Sequence, residues 1–476
     1  MKGYRGLRNI RFEAYFATMP LHAWMIRGRQ TRKAFKELKH SEFMTRNQLD
    51  ELQSRRLREI VAHFYGSSPF YRDRLDQLGI NPDSIVSISD LQRLPYLTKD
   101  DVRENLEKGL LSSVIKPKHS HRINTSGSTG RPFTIFADRA QLEVRFASTI
   151  RALEWTGWRF GDRQARLWHQ TLGMSPTQVI RERIDAWFMK RLFIPAFEIS
   201  PGNIETFVDQ IRSHKPVLVD GYAESLNFLA SYVRAGNLPG FSPKAIMSSA
   251  QALPQNTREI IERGFDTKVF DKYGSREFSG IAYECSAHQH HHVVDECYIL
   301  ELLVDGRPAQ PGEVGEIVIT DLFNRATPMI RYRIGDLALA VDQTIPCPCG
   351  RSHSRIGEIE GRTQAIVHCA NGSWLPGTFF AHFFKDYETD IRFFQIEQSK
   401  KGEFNLKVVK NETFTDKSMR SIIEQLRDYV GETAIEVQYV DEIPLVRTGK
   451  RSPVISSVAD DFQTLNVSGQ VRRMSR

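Results

Sequence analysis

The sequence predicts an α/β protein: a large body of sheets covered by helices, with a smaller β section attached, followed by a small α+β lobe. Three observations predict it. Residues 203 to 271 alternate amphipathic helices with short apolar strands. From Gly312 the pattern changes to strand-like alternation broken by glycine, and beyond residue 364 a strand, turn, strand, helix, strand order marks a separate unit. The expected segments are a basic, aromatic extension over 1–44, a large domain over 45–363, a small lobe over 364–456 and a polar basic tail over 457–476.

In chain order, Thr45 and Gln48 form a capping box ahead of a stripe of Leu49, Leu52, Leu57, Ile60, Val61 and Phe64, which predicts a long helix ended by Ser67, Ser68 and Pro69. Ser89 with Gln92 and Thr98 with Asp101 repeat the cap signature on two short helices divided by Leu94-Pro95. Helices are then expected over 203–214, 224–234 and 254–263, alternating with strands over 216–220, 244–248 and 267–271. Ligands gather at the carboxyl ends of such strands. Two unusual strings fall there, Ser248-Ser249-Ala250-Gln251 and Tyr273-Gly274-Ser275-Arg276-Glu277. Glu316 to Thr320 and Ile330 to Asp336 predict a barrel-like β section, and the last lobe is expected as strands 391–398, 404–409 and 434–440 around a helix at 417–430.

Composition excludes several classes. A chain of 476 residues with 40% hydrophobic and 26% charged residues is soluble and globular, with ample core. The most apolar N-terminal stretch, Phe12 to Ile26, is broken by Glu13, Pro20 and His22, so neither a membrane span nor a secretory signal is expected. Five cysteines, at 285, 297, 347, 349 and 369, are too few for a disulfide framework and imply a reducing, cytoplasmic setting. The net charge of +8 sits partly at the two ends, in Arg5, Arg8, Arg11, Arg27, Arg29 and Arg32 and in Arg472, Arg473 and Arg476. Without a base-reading module these are solvated surface, and no nucleic-acid partner is expected. Attraction to an anionic inner-membrane surface through Tyr15, Phe16, Leu21, Trp24 and Met25 is the alternative to a helix packed on the body.

The stretch suited to hold a polyphosphate is Asn124-Thr-Ser-Gly-Ser-Thr-Gly-Arg-Pro132. Gly127 and Gly130 let backbone amides approach an anion, Thr125, Ser126, Ser128 and Thr129 add hydroxyl donors, and Arg131 supplies a fixed cation. No Lys-Ser or Lys-Thr follows Gly130, so this is not the phosphate loop of the common NTPases. Phe133 to Phe136 reads as a strand, which makes the loop a flap between strands; the plain alternative is an ordinary polar hairpin.

In order with Tyr273-Gly-x-x-Glu277, Tyr332-Arg-x-Gly-Asp336, Gly361-Arg-Thr363 and Arg447-Thr-Gly-Lys450, this loop resembles the adenylate-forming superfamily. Within it the likeness is to the phenylacetate-coenzyme A ligase family, including its capsular-polysaccharide branch, over about residues 45 to 456. Ser68-Pro-Phe-Tyr-Arg72 and Leu94-Pro-Tyr-Leu-Thr-Lys99 belong to the same likeness. The resemblance implies a large adenylate-forming N-terminal domain, a mobile C-terminal lobe, and activation of a carboxylic acid by ATP through an acyl-adenylate. The acyl group would then pass to coenzyme A.

On that implication Ser126, Gly127, Ser128, Thr129, Gly130 and Arg131 hold the terminal phosphates and Glu277 binds magnesium. Tyr273 stacks on adenine with Gly274 beside it in the nucleotide site, Ser249, Ala250 and Gln251 border base and acyl group, Asp336 holds the ribose hydroxyls, and Arg362 contacts ribose or phosphate. Lys450, carried on the mobile lobe, sits between the carboxylate and the α-phosphate. Singly, Glu277 could be a surface carboxylate, Asp336 a turn residue and Lys450 a solvated lysine; their joint order favours the site. Trp168, His169, Tyr222 and Ala250 are acid-pocket positions by location alone.

Cys285, His292, Cys347 and Cys349 offer soft thiolates and an imidazole for a structural zinc, with His288, His290, His291 and His353 leaving the nitrogen ligand open and unmetallated thiols as the alternative. Two departures from the superfamily matter. Gln251 replaces an acidic residue near the adenine, and Gln364 replaces a charged hinge residue. The resemblance equally permits an amine acceptor, as in an amide ligase acting on a sugar or amino acid, and the altered hinge motivates a reading of another class, a catalytically silent nucleotide-binding scaffold.

Overall fold

The structure is a computed structural model describing residues 10, 12–17, 30–115, 120–125, 133–168, 176–195, 204–235, 241–249, 253–362, 366–370, 374–376, 380, 383–384, 387, 389–443 and 454–458. A hairpin is formed by β1 (Ser120–Thr125) and β2 (Phe133–Asp138). Parallel strands follow: β3 (Gln164–Trp168), β4 (Arg191–Pro195), β5 (Leu218–Tyr222), β6 (Ala245–Ser249) and β7 (Val269–Ser275). Every residue of β5 and β6 is buried, which is why these strands read as compact runs rather than alternating ones.

Helices Ile204–His214, Ala223–Ala235 and Gln255–Phe265 cover one face. They pack Ile204, Val208, Ile211, Leu226, Leu229, Ile261 and Phe265 on Val219, Ile246 and Val269. Each full burial of such a side chain contributes about 1.5–3 kcal/mol. Gly264 permits the close approach of two of these helices, since a Cβ there would meet the Ala230 Cβ at 2.6 Å.

The other face is covered by helix Arg139–Trp155, against which helix Thr31–Ser41 and the N-terminal Tyr15 and Phe16 pack. Tyr15 is 0% exposed, donates to Asp185 at 2.9 Å and meets Phe188 edge-on at 5.4 Å. These two aromatic residues of the extension therefore belong to the core, as in the helix-on-body alternative. Leu21, Trp24 and Met25 lie outside the described residues.

The remaining strands of the body are antiparallel: β8 (Ser279–Glu284), β9 (His291–Val293), β10 (Tyr298–Val304), β11 (Arg307–Pro308), β12 (Val314–Asp321), β13 (Tyr332–Ala340) and β14 (Arg355–Arg362). The smaller β section is present, but it is not a closed barrel. It continues the parallel strands into one twelve-stranded sheet, β11-β10-β12-β13-β14-β9-β8-β7-β6-β5-β3-β4, whose ends stay apart.

The long helix is Arg46–Ser67, with Thr45 as its N-cap and the Thr45/Gln48 box formed. The next cap differs from expectation: Ser87 and Asp90, not Ser89 and Gln92, close the box on the short 3₁₀ turn Ile88–Arg93. The Asp90 carboxylate accepts from the Val86 and Ser87 amides at 3.1 and 2.9 Å, and a charged acceptor there outcompetes a neutral amide. Leu97 then docks on the start of β13, its N–H donating to the Arg331 carbonyl at 3.0 Å and its carbonyl accepting from Arg333 at 2.9 Å.

Beyond β15 (Ile366–His368) and β16 (Trp374–Pro376), which pair with each other, the last lobe is a four-stranded sheet. It orders β19 (Ala434–Tyr439), β18 (Glu403–Lys410), β17 (Ile391–Lys400) and β20 (Val454–Ser456). Its helix Asp416–Val430 turns Met419, Ile422, Leu426 and Val430 onto the sheet at helical spacing.

Candidate active site

The carboxyl ends of adjacent strands collect the residues the motifs single out. Register pairs Leu167 with Gly221, Tyr222 with Ser249 and Ser249 with Lys272, so Trp168, Tyr222, Ser249 and the Tyr273–Ser275 string end side by side. Trp168 and Tyr222 stack with centroids 4.3 Å apart. Tyr273, buried at the end of β7, donates from its hydroxyl to Asp336 Oδ2 at 2.9 Å, which joins two motifs 63 residues apart. Asp336 is itself 5% exposed and lies opposite Arg362 across a bulge between β13 and β14. The side chain of Arg362 lies outside what is described. Gly274 is obligatory, because a Cβ there would meet the Ser279 carbonyl oxygen at 2.0 Å.

Glu277 follows on the turn into β8 and is 6% exposed. Among the described residues no side chain pairs with its carboxylate, an unusual condition for a buried charge and one that a hard divalent cation would relieve. The strands on either side of residues 126–132 pair antiparallel, Thr125 opposing Phe133. That hairpin is pinned to the segment leading into β13. Thr327 Oγ1 accepts from the Phe136 N–H and donates to its carbonyl, both at 3.0 Å, and Asn324 Nδ2 donates to the same carbonyl at 3.0 Å. Ser126, Gly127, Ser128, Thr129, Gly130, Arg131, His169, Ala250, Gln251, Gln364 and Lys450 lie outside the described residues.

The second constellation also assembles. Ligand atoms of Cys285, His292, Cys347 and Cys349 all lie within 4.8 Å of one another. Cys285 and Cys347 sulfurs are 3.6 Å apart, and Cys349 Sγ is 3.3 Å from His292 Nε2. A tetrahedral zinc with Zn–S of about 2.3 Å sets its sulfurs about 3.8 Å apart, so the donor set and spacing fit that ion. The Cys349 thiol is drawn far down by the contact with Cys285, against burial, and His292 adds to the effect. Other histidines are engaged elsewhere: His291 with Asp271 and His353 with Glu296, each at 3.1 Å. Cys297 and Cys369 are core residues.

Sequence reasoning missed a charged group on the same strand ends. Arg166 of β3, Asp220 of β5 and Lys272 of β7 share one face, and Arg166 Nε lies 3.0 Å from Asp220 Oδ2. A charged residue inside each of three short, largely buried strands was the available signal. It also missed Arg331, buried at the start of β13, which is held by Glu301 and donates to the carbonyls of Gln92 and Leu94 at 3.0 and 2.8 Å. That clamp fixes the leading segment to the strand that carries Asp336.

Known proteins are similar to this chain in sequence and in fold. The family profile described as the CapK C-terminal domain matches residues 367–457. A phenylacetate-coenzyme A ligase of Thermus thermophilus is 29% identical over 337 residues, covering 68% of this chain and 73% of that protein. Protein CapK of Staphylococcus aureus is 21% identical over 442 residues, covering 91% of this chain and 94% of that protein. In fold, a 2-hydroxyisobutyryl-CoA ligase, solved in the postadenylation state in complex with R3-HIB-AMP, superposes with a TM-score of 0.68 at 20% identity, covering 88% of this chain and 92% of that one. By sequence the chain is similar over most of its length to phenylacetate-coenzyme A ligases and to CapK, its last lobe matches the CapK C-terminal domain, and its fold is that of the acyl-adenylate-forming CoA ligase solved with an adenylate.

Proposed function

We propose that the protein activates a carboxylic acid with ATP and magnesium and passes the acyl group to coenzyme A. In the first half-reaction a carboxylate oxygen attacks the α-phosphorus, the bond to the β-phosphate oxygen breaks, and pyrophosphate leaves an acyl-adenylate. In the second, a thiol sulfur attacks the acyl carbon and AMP leaves. The barrier to the first is the negative charge brought together, so the site must supply cations and donors.

The observation that carries this reading is the hydrogen bond between Tyr273 and Asp336 at the sheet's carboxyl edge, which brings together the ring that would stack on adenine and the carboxylate that would hold ribose. Ser249 and Gly274 border the same edge, with Ala250 and Gln251 following Ser249. Glu277 would hold magnesium, whose charge offsets that of the phosphates. Ser126, Gly127, Ser128, Thr129, Gly130 and Arg131 on the hairpin would grip the terminal phosphates, Arg362 would contact ribose or phosphate, and Lys450, shortly before β20, would bridge the carboxylate and the α-phosphate. Cys285, His292, Cys347 and Cys349 would hold a structural zinc that ties the loop after β8 to the loop before β14. The lobe from residue 364 to 456 would turn between the two half-reactions.

A second reading has a specific observation behind it. The match to the CapK C-terminal domain and the 91% coverage by CapK support the likeness to the capsular-polysaccharide branch, which equally permits an amine acceptor and an amide in place of a thioester. Work beside a membrane surface would suit that reading. The burial of Tyr15 and Phe16 leaves the basic residues near the N-terminus, rather than these rings, to provide the attraction.

Exchange of labelled pyrophosphate into ATP with a panel of acids tests the activation step. The proposal expects exchange with some acid and its loss in Lys450→Ala. A silent scaffold would bind ATP and exchange with none. Mass identification of the product formed with coenzyme A, an amino acid or an amino sugar separates the acceptors. Metal analysis of the purified protein decides the zinc, a stoichiometry near zero removing it.

A further inference from the structure

The mechanism above leaves Lys272 unused. It sits in β7 between Asp271 and Tyr273, on the face of the sheet opposite Tyr273, and its register partners place it beside Ser249 of β6 and Tyr283 of β8. Side chains alternate along a strand, so Arg166, Trp168, Asp220, Tyr222, Ser249 and Lys272 share that face. Helix Arg139–Trp155 lies over it, with Thr149 Oγ1 3.4 Å from the Tyr283 hydroxyl. The Lys272 ammonium is 5.7 Å from the Tyr283 ring centroid. Among the described residues it makes no hydrogen bond or close ion pair, although it is only half-buried by accessible surface. Lys272 therefore keeps solvent-accessible surface although protein packs around it.

The rest of the cluster is built but not neutralised. Asp220, 6% exposed in a central parallel strand, faces two cations and can balance one. Arg166 takes it at 3.0 Å, yet the Arg166 Nε–H is buried and finds no hydrogen-bond acceptor in that direction. Arg166 also lies over the Trp168 ring at 4.5 Å, which holds the guanidinium against the aromatic wall. Burial lowers the Lys272 pKa to about 8, Asp220 opposing and Arg166 reinforcing the drop, so its protonated form is short of a counter-charge.

We propose that this face is the subsite for the far end of the acid, and that the acid carries a second anionic oxygen group, a carboxylate, received by Lys272 and Arg166 while its body lies on Trp168 and Tyr222. The proposal rests on the adenylation reading and deepens it from a carboxylic acid to a dicarboxylic one. An apolar arylacetate would leave two half-buried cations facing one carboxylate, whereas a second carboxylate makes the charges equal and gives the Lys272 ammonium an acceptor. The aromatic pair favours a flat or short linker between the two acid groups. Lys450 remains assigned to the reacting carboxylate, so the two ends of the substrate meet different cations.

Pyrophosphate exchange is measured with a homologous series of dicarboxylates, each beside its monomethyl ester, and with phenylacetate. The ester keeps the shape and removes only the distal charge. The wild type is expected to favour its best dicarboxylate over the matching ester by about tenfold or more in kcat/KM, as a charge-assisted hydrogen bond implies. Lys272→Met should collapse that ratio towards unity, mainly through KM of the diacid, and Lys272→Arg should restore much of it. Equal or better use of esters and phenylacetate by the wild type overturns the subsite while leaving adenylation standing, and needs no variant to fold. A ratio that survives in Lys272→Met overturns it too. Exchange with no acid at all removes the adenylation reading, and this one with it.

Discussion

Two charged clusters lie on the same large sheet, and they are built in opposite ways. Behind the thiol cluster, Arg151 and Glu296 are 0% and 1% exposed and joined by two hydrogen bonds of 2.5 and 3.0 Å. Ser41 donates to the same carboxylate, His353 adjoins it, and Arg151 also donates to the Leu38 carbonyl. At the carboxyl ends of the parallel strands, and among the described residues, Glu277 is buried without a paired side chain and Lys272 makes no ion pair. A buried charge alone is costly, so it persists only where something else offsets it. The first cluster is charge-paired and holds helix Thr31–Ser41 to the body, although Arg151 Nε and His353 Nδ1 find no hydrogen-bond partner among the described residues. The second is incomplete in the way expected of a site that awaits a polyanion and its metal.

The largest effect that would break this contrast is in the charge-paired cluster. Arg151→Met should lower unfolding stability by about 3–5 kcal/mol, because Glu296 is left buried and uncompensated. Burial raises the Glu296 carboxyl, but Arg151 and His353 overcome it and hold the group well below its usual range. A depressed carboxylate stabilises above its unfolded pKa of about 4.3 and loses that contribution on acidification. The gap between wild type and variant, read from denaturant melts, should therefore hold from neutral pH to about pH 5 and narrow below it.

Glu277→Gln probes the incomplete cluster and should behave in reverse. Thermal stability is expected to stay level or rise, since a buried unpaired charge is removed, while acid-dependent pyrophosphate exchange falls by about 10²–10³, the size seen when a preorganised electrostatic contact is lost. A drop in stability with exchange intact would make Glu277 a structural residue and erase the contrast. A smaller effect sharpens it. Tyr273→Phe removes one hydrogen bond to the Asp336 carboxylate, and ATP affinity should weaken by about 1.5–3 kcal/mol in an equilibrium titration, with the fold unchanged.

Much of the frame was legible in the sequence because its signals are local. The Thr45/Gln48 box, the helix spacing from Met419 to Val430 and the strands expected over 244–248 and 267–271 each depend on a few neighbouring residues, although the second strand runs on to Ser275. The Ser87/Asp90 cap was misplaced by two residues because serine stands at both 87 and 89, and only the stronger acceptor decides between them. The continuity of the sheet was not legible, since pairing β9 with β14 joins His292 to Arg355 across the chain, and no local pattern encodes that register. The site was legible as motifs and the thiol cluster as ligand types. Arg166, Asp220 and Lys272 were not, because a single charge inside an apolar strand gains meaning only when its neighbours across the sheet are known.

The central claim, that these strand ends form a nucleotide site, is tested most directly by titrating wild type and Asp336→Ala with ATP and magnesium. Binding by the wild type, weakened about tenfold or more in the variant through loss of the ribose contacts, is the predicted result. A wild type that does not bind, or a variant that binds equally well, would contradict it.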